Sequence, residues 1–329
     1  MIISRTPYRI SFFGGGTDYP EWYLKNTGEV ISTTIDKYLY LSCRNLPPFY
    51  KYKYRIIWNK IELAKKKENI EHKVVRKMID HLKIKEGLDI VYAGDIPAQS
   101  GMGSSSSFVV GLMTALYQLK KIKFDKKKLA EDSMFFEQKI LKEVVGSQDQ
   151  VASAYGGFQS IKFMKNGSFK IINLVKDKNY MKSLNERLIL VYTERPKTAH
   201  FIASKYVSVL DKKQEFMEQI SKYTIEAKQI IKEKKLDDFG LLLDKTWQAK
   251  KKISTHISNS NVDNIYKKAK KLGALGGKLL GAGGGGFILF YVPLNKKDIF
   301  INSFKKEQIV DFNFDNKGSE IIFNSDINK

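Results

Sequence analysis

The sequence is poor in the residues that form disulfides and bind zinc. Its 329 residues include one cysteine, Cys43, and four histidines. A single cysteine excludes an intramolecular disulfide, and no paired Cys or His spacing typical of a zinc site occurs. These absences favour a reducing environment, and we expect a cytoplasmic protein.

Long hydrophobic runs are also missing. Arg5, Pro7 and Arg9 interrupt the N-terminal segment before any apolar run develops, which argues against a secretory signal. The longest stretch without charge covers residues 96–119, and its apolar part, 108–119, is too short to span a bilayer. We therefore expect no membrane segment.

Arginine is scarce although the chain is strongly basic. The formal net charge is +22, yet only seven of the 57 basic residues are arginine. Proteins that bind nucleic acid use arginine for bidentate base contacts and cluster their charge. Here lysines form short runs, at 65–67, 126–128 and 250–252, which we interpret as solvent-exposed helix faces. A nucleic-acid binder remains an alternative, and a basic protein also attracts small anionic substrates.

Hydrophobic residues are abundant enough for two packed domains. They make up 43% of the chain, and strand-like patterns such as RTPYRISFF, EVISTTI and YLYLSCR dominate its first part. Helical patterns follow, including one capped by Asp125 that should end near Gly146. The second part reads as helices and then a strand. We predict an α+β protein with two domains, residues 1–175 and 176–329.

The stretch PAQSGMGSSSS at residues 97–107 precedes an apolar helical pattern. Glycines let successive backbone N–H groups point at one place, and a helix that begins at the serines adds its positive end there. Serine hydroxyls supply further donors to phosphate and ligands for Mg²⁺. The alternative, a plain helix N-cap, needs one serine rather than four. The stretch predicts phosphate binding.

Two further glycine loops occur, GGGTDYP at 14–20 and GAGGGG at 281–286. The second matches G-x-G-x-x-G, but it runs into a strand pattern late in the chain and so is no dinucleotide fingerprint. The GGK that ends at Lys278 is no P-loop either, because the spacing is short and Leu279 replaces Ser or Thr. Thr17 and Asp18 suit sugar hydroxyls, although Asp in a glycine-rich turn is commonly a turn former.

Together, RTPYRISFFGGGTDYP, PAQSGMGSSSS and KLLGAGGGGFILF resemble the three motifs of the GHMP kinases, in the family's order. The resemblance implies a ribosomal-S5-like N-terminal half and a ferredoxin-like C-terminal half around one cleft. It also implies an ATP- and Mg²⁺-dependent kinase. GGGTDYP is most similar to the kinases of D-glycero-D-manno-heptose 7-phosphate, which implies phosphorylation at the anomeric hydroxyl. Galactokinases typically carry Glu and His where this chain has Gly15 and Gly16.

The resemblance also implies roles for individual residues. Asp149 would be the catalytic aspartate, Arg9 its basic neighbour, and Ser105 and Glu137 the Mg²⁺ ligands. Residues implied to bind ATP are Gly101, Met102, Gly103, Ser104, Ser105 and Ser106. Residues implied to bind the sugar are Gly16, Thr17, Asp18, Tyr19, Gly283 and Gly284.

Several alternatives stay open. Without the resemblance, Asp149 reads as an ordinary acid in the first turn of a helix and Glu137 as a surface residue. A different GHMP kinase, acting on another sugar or an isoprenoid alcohol, or a non-catalytic ligand sensor on this fold, are rival functions. Candidates to hold a substrate phosphate lie in TERPKTAH, namely Arg195, Lys197 and His200, and the alternative is a solvated basic loop. Trp58 and Asn59 are candidates for the adenine pocket.

Overall fold

The computed structural model describes residues 1–175, 177–193, 213–305 and 308–325. Within these ranges the chain forms two sheets with helices packed on them. None of the helices in the described part of the chain combines the length and the apolar composition that a membrane span requires.

Within the described residues, the strands follow one another along the chain in this order: β1 (Ile2–Phe13), β2 (Gly28–Leu46), β3 (Tyr54–Ile57), β4 (Ile61–Ala64), β5 (Gly87–Gly94), β6 (Gln159–Phe163), β7 (Phe169–Asn173), β8 (Leu188–Tyr192), β9 (Gly276–Leu279), β10 (Phe287–Tyr291), β11 (Ile309–Val310), β12 (Phe314–Asp315) and β13 (Glu320–Asn324).

The helices are α1 (Pro20–Asn26), α2 (Lys73–His81), α3 (Ser104–Leu119), α4 (Lys126–Phe135), α5 (Gln148–Tyr155), α6 (Lys178–Glu186), α7 (Gln214–Lys232), α8 (Leu236–Lys251), α9 (Ser260–Lys271) and α10 (Leu294–Asn302). A short 3-10 helix covers Lys67–Asn69, and a π-helical turn, Phe136–Ile140, extends α4.

The first sheet carries Arg9 on a central strand, β1. Its main path runs β13-β1-β2-β5-β3-β4, and β12 and β6 pair with other parts of β2. The helix α3 is apolar on nearly every side and packs against β1 and β2. Gly111 permits this close approach, because a Cβ there would lie 2.7 Å from the Thr6 hydroxyl oxygen. The packing fixes the N-terminus of α3 beside Arg9.

The second sheet runs β11-β8-β10-β9. Its large buried side chains include Trp247 of α8, Phe290 of β10 and Phe300 of α10, and they form a core of their own. The helix α8 packs directly on β9 because Gly276 has no side chain: a Cβ there would lie 2.0 Å from the Gly240 carbonyl oxygen. This contact brings the lysines of α8 and β9 to the same side of the molecule.

Two elements differ from the sequence prediction. The stretches EVISTTI and YLYLSCR, predicted as two strands, form the single strand β2, whose pairing with β1 shifts register between Pro7 and Arg9. Such irregularities let one strand bend without ending. Asp125 does cap α4, but the helix ends after Ile140 rather than near Gly146. Lys142 then takes a left-handed conformation, with φ of 55°, which stops the helical path.

The boundary after residue 175 stays a prediction. Two strands that it assigns to the second domain, β12 and β13, pair with β2 and β1 of the first sheet. The end of the described chain therefore contributes to the sheet that carries Arg9.

Candidate active site

The three predicted loops meet around one cavity of about 350 Å³. It opens where β1, the start of α3, the start of α5 and the glycine loop after β9 come together. Its lining residues are Arg9, Ser11, Gly15, Gly16, Asp18, Tyr19, Gln99, Gly101, Gly103, Ser104, Ser105, Ser106, Glu143, Val144, Val145, Gly146, Gln148, Asp149, Lys250, Lys278, Gly281 and Ala282.

Arg9 and Asp149 form a bidentate ion pair at the base of this cavity. Arg9 Nε donates to Asp149 Oδ1, and Arg9 Nη2 donates to Asp149 Oδ2, each at 2.7 Å. The guanidinium is buried, whereas the carboxylate is partly open to the cavity. Two parallel hydrogen bonds fix both charged groups in orientation as well as position. The carboxylate thus faces any molecule that enters.

The serine loop is tied to the same arginine. Arg9 Nη1 donates to the Gly101 carbonyl oxygen at 2.7 Å, and the Arg9 backbone N–H donates to that of Met102 at 3.2 Å. Met102 is fully buried and anchors the loop. Gly103 takes φ of 75° as the N-cap of α3, and the Ser104 hydroxyl accepts a hydrogen bond from the Gln99 N–H. The start of α3 lies at the cavity, and the first N–H groups of a helix have no partner within it, as an anion site requires.

Glu137 is completely buried behind the serines. The Ser106 hydroxyl donates to Glu137 Oε2 at 2.7 Å, and the Gln150 amide donates to the same oxygen. Glu137 Oε1 has no hydrogen-bond partner within the described residues. Burial raises the pKa of Glu137 to about 7. The structure therefore joins Glu137 to Ser106, while the side chain of Ser105 is exposed at the cavity.

The loop 14–20 adds a second buried carboxylate, Asp18, to the cavity lining. Asp18 Oδ1 accepts the Gly16 N–H at 2.9 Å, and the Asp18 carbonyl oxygen accepts the Ser147 N–H at 2.8 Å. Burial, and then the nearby Asp149 carboxylate, raise the pKa of Asp18. Tyr19 also lines the cavity. Thr17 does not, because its hydroxyl donates to the Gly14 carbonyl oxygen and holds the loop together.

The glycine loop after β9 touches the serine loop backbone to backbone. A Cβ on Gly281 would lie 2.6 Å from the Gly101 Cα, so neither position has room for a side chain. Gly281 lines the cavity, whereas Gly283 and Gly284 lie outside its lining. Gly284 instead donates its N–H to the Ile257 carbonyl oxygen at 2.9 Å. Arg195, Lys197 and His200 lie outside the described residues.

Comparison with known proteins establishes the family. The family model described as GHMP kinases N terminal domain matches residues 69–157, and the one described as GHMP kinases C terminal matches residues 227–309. The two matches cover more than half of the chain. The chain belongs to the GHMP kinases. It is therefore an ATP-dependent kinase, and the predicted family, fold class and kinase activity are confirmed.

Individual members of the family align over about three quarters or more of this GHMP kinase. The D-glycero-alpha-D-manno-heptose 7-phosphate kinase of Campylobacter jejuni is 31% identical over 96% of this chain and 97% of its own. The mevalonate kinase of Methanocaldococcus jannaschii is 28% identical over 73% of each chain. The crystal structure of a D-glycero-D-manno-heptose 1-phosphate kinase from Bacteroides thetaiotaomicron superposes with a TM-score of 0.80, at 21% identity and 98% coverage of this chain. That similarity shows the shared two-domain fold.

Two cavity lysines of this GHMP kinase were missed from the sequence. The sequence pattern predicts a solvent-exposed helix face for Lys250, but the structure buries it, while its neighbour Lys252 is exposed. Lys250 Nζ donates to the Gly281 carbonyl oxygen at 2.7 Å, and Lys278 Nζ donates to that of Phe12 at 3.0 Å. Burial lowers the pKa of Lys250 to about 8 and the pKa of Lys278 well below its usual range. The sequence signal that could have found Lys278 is its position as the first residue of the third motif, KLLGAGGGGFILF.

Proposed function

We propose that this kinase transfers the γ-phosphoryl group of ATP to the anomeric hydroxyl of D-glycero-D-manno-heptose 7-phosphate, which gives the 1,7-bisphosphate. The observation that carries the proposal is the 31% identity with the Campylobacter jejuni heptose 7-phosphate kinase over 96% of the chain. The cavity agrees with an anionic sugar, because three buried cations, Arg9, Lys250 and Lys278, line it.

In this proposal Asp149 acts on the hydroxyl that is phosphorylated. Its carboxylate would accept or orient the hydroxyl proton as the oxygen attacks phosphorus. Arg9 holds the carboxylate through two hydrogen bonds and adds positive charge where the transferred phosphoryl group develops negative charge. Positioning and charge neutralisation are the main demands of phosphoryl transfer.

ATP would bind along the serine loop. The backbone N–H groups at the start of α3 are not used by the helix itself, and its positive end favours phosphate oxygens. The residues proposed to contact the phosphates are Gly101, Met102, Gly103, Ser104, Ser105 and Ser106. The side chain of Met102 is buried, so we propose that Met102 contributes to this site only through its backbone.

Mg²⁺ fits the remaining oxygens of this region. Mg²⁺ can take one carboxylate and complete its shell with water and substrate phosphates. Glu137 is completely buried and is not among the residues that line the cavity, but it has an unpartnered oxygen beside Ser106, and Ser105 exposes its hydroxyl at the cavity. We propose these two as ligands, with Ser106 orienting Glu137. The ion would neutralise phosphate charge.

The sugar would lie against the loop 14–20. Asp18 offers a buried carboxylate to sugar hydroxyls, and Tyr19 and Gly16 line the same cavity, with the Gly16 N–H holding the Asp18 carboxylate in place. The proposal keeps Thr17, Gly283 and Gly284 as parts of the loops that shape the cavity rather than as direct contacts, since they do not line it. The cytoplasmic location expected from the single cysteine belongs to the same proposal.

The test is to compare kcat/KM for heptose 7-phosphate, unphosphorylated heptose, galactose and mevalonate, with ATP consumption coupled to a chromogenic reaction. We expect heptose 7-phosphate to be preferred by roughly 100-fold or more, since its terminal phosphate supplies binding energy far from the reacting hydroxyl. Equal efficiency with heptose or galactose, or a preference for mevalonate, would overturn the assignment.

A further inference from the structure

Three polar side chains from different elements surround the space above Gly15. A Cβ built on Gly15 would lie 3.4 Å from Ser11 Oγ, 3.9 Å from Lys278 Nζ and 4.0 Å from Gln148 Nε2. Ser11 belongs to β1, Gln148 to α5 and Lys278 to β9, so both sheets contribute to this small volume. Glycine at this position keeps the volume open.

Two of these side chains carry polar atoms that the fold leaves unused. Ser11 is 4% exposed and Gln148 is 7% exposed. Within the described residues, neither Ser11 Oγ nor Gln148 Oε1 has a hydrogen-bond partner. Buried polar atoms are normally satisfied, because leaving one unpaired destabilises the folded protein. Both side chains line the cavity, which indicates that a ligand completes their hydrogen bonds.

The positive charge at this place is only partly compensated. Lys278 and Lys250 are both buried, and the ion pairs of the described residues include neither of them. Each ammonium donates to one carbonyl oxygen, which leaves about two of its three donors free. The charged groups that influence Lys278 are Lys250 and Arg9, which repel its charge, and Asp18, which favours it. Arg9 is already paired with Asp149, so Asp18 faces two lysines alone.

We propose that Ser11, Gln148 and Lys278, with Lys250 beside them, form a subsite for the phosphate monoester of the acceptor sugar. The inference rests on the proposed function, because it names the groups that distinguish a phosphorylated from an unphosphorylated acceptor. A phosphate dianion matches two ammonium groups, and its oxygens accept from the Ser11 hydroxyl and from Gln148 Nε2. Gln148 Oε1 is an acceptor, so a hydroxyl of the same sugar would complete its hydrogen bond. This subsite is separate from the proposed ATP site. The ATP phosphates would bind the backbone N–H groups of the serine loop, whereas the subsite lies over Gly15, in the loop that carries Asp18.

Proton uptake should accompany occupancy of the subsite. Burial lowers the pKa of Lys250 and of Lys278, so part of the lysine population is neutral before the anion arrives. A bound dianion favours the charged ammonium and raises both pKa values again. At about pH 8 a phosphate monoester is already a dianion, so protons taken up from the buffer on binding go to the lysines.

The decisive variants are Lys278→Met and Lys250→Met, with the exposed Lys252→Met as the matched control. We expect kcat/KM for heptose 7-phosphate to fall roughly 10- to 100-fold in the first two, as loss of a charged hydrogen bond predicts. The loss of kcat/KM with unphosphorylated heptose should be at least about fivefold smaller, because that sugar has no phosphate for the lysines to bind. An equal loss for both sugars would overturn the subsite.

Gly15→Ala provides a second variant that removes no charge. The backbone of Gly15 lies outside the left-handed region, so alanine is tolerated there, and its methyl group enters the subsite. We expect a raised KM for heptose 7-phosphate and unchanged thermal unfolding. A KM equal to that of the parent protein would contradict the proposed location.

A binding experiment separates this inference from the proposed function. Inorganic phosphate is titrated calorimetrically into the parent protein and Lys278→Met, with a non-hydrolysable ATP analogue filling the nucleotide site. Buffers of different ionisation enthalpy report proton uptake. Phosphate binding with proton uptake in the parent, lost in Lys278→Met, supports the subsite even if no heptose is phosphorylated. Turnover of heptose 7-phosphate together with unchanged phosphate binding in Lys278→Met would overturn the subsite alone.

Discussion

At the scale of single residues, the central feature is Asp149, which faces the cavity while Arg9 donates a hydrogen bond to each of its carboxylate oxygens. Asn keeps the size of the side chain but loses its charge and its ability to accept a proton. We expect Asp149→Asn to lower kcat roughly 100-fold or more, since a positioned proton acceptor is lost. ATP affinity should persist because the serine loop is unchanged. Steady-state kinetics and a fluorescence titration with ATP measure the two quantities.

The control for this variant is Asp298→Asn, which changes an exposed acid on α10. It should retain normal turnover. If Asp149→Asn also turned over at a near-normal rate, Asp149 would not carry the chemistry.

The metal proposal makes a prediction about Mg²⁺ dependence. Glu137→Gln and Ser105→Ala should raise the Mg²⁺ concentration needed for half-maximal rate by roughly tenfold or more, since each removes an oxygen ligand. Ser106→Ala should have a smaller effect through the orientation of Glu137. Ser221→Ala, which alters a helix hydroxyl bonded to a backbone carbonyl oxygen, serves as control. Mg²⁺ titration curves that superpose on those of the parent protein would assign the metal elsewhere.

The sequence was informative about some of these residues and silent about others. Arg9 stood out because arginine is rare in this chain. Asp149 was identified only through the resemblance to the GHMP kinases. Lys250 could not be identified in this way, because the sequence of a run of three lysines is the same whether they face water or a cavity. Only the packing of α8 on β9 decides which lysine is buried. Glu137 accepts a hydrogen bond from Ser106 rather than from Ser105. Which serine points toward Glu137 depends on how α3 is rotated about its axis, and the sequence pattern does not determine that rotation.

At the scale of elements, the site depends on two glycine loops that touch. A Cβ on Gly101 would lie 2.4 Å from the Leu280 carbonyl oxygen. Gly167 offers a matched comparison, because its φ of 84° nearly equals the 83° of Gly101 but nothing lies within 4 Å of its Cβ position. Alanine at either position incurs the left-handed backbone strain of about 1–2 kcal/mol. Only alanine at Gly101 also pushes the loops apart.

We therefore expect Gly101→Ala to lower the free energy of unfolding by roughly 1–3 kcal/mol more than Gly167→Ala does. The KM for ATP should rise in Gly101→Ala alone. Denaturant titration and kinetics measure these effects. Equal effects of the two substitutions would mean that the contact between the loops is unimportant.

The periodicity of the sequence predicted where helices occur more reliably than it predicted where they end. The apolar pattern after the four serines correctly predicts α3, which begins at Ser104. The end of α4 was predicted too late, because the residues beyond Ile140 look helical in sequence yet line the cavity from Glu143 to Gly146. Tertiary contacts there, including the bond from Ser147 to Asp18, outweigh helical propensity.

At the scale of the whole molecule, the motif order identified the family and hence the two-part fold. It did not reveal that β13 returns to pair with β1, with Ile2 opposite Asn324. Pairing between residues so distant in sequence leaves no local signature. It also did not reveal that the cavity takes its cations from both sheets: Arg9 from the first, Lys278 from the second.

The central claim is that this GHMP kinase phosphorylates the anomeric hydroxyl of a heptose that already carries a phosphate. The most direct test is phosphorus NMR of the product made by the parent protein from ATP and D-glycero-D-manno-heptose 7-phosphate. The account predicts one new phosphate signal coupled to the anomeric proton, beside the original signal at C7. A new signal coupled to any other sugar proton, or no second sugar phosphate, would contradict it.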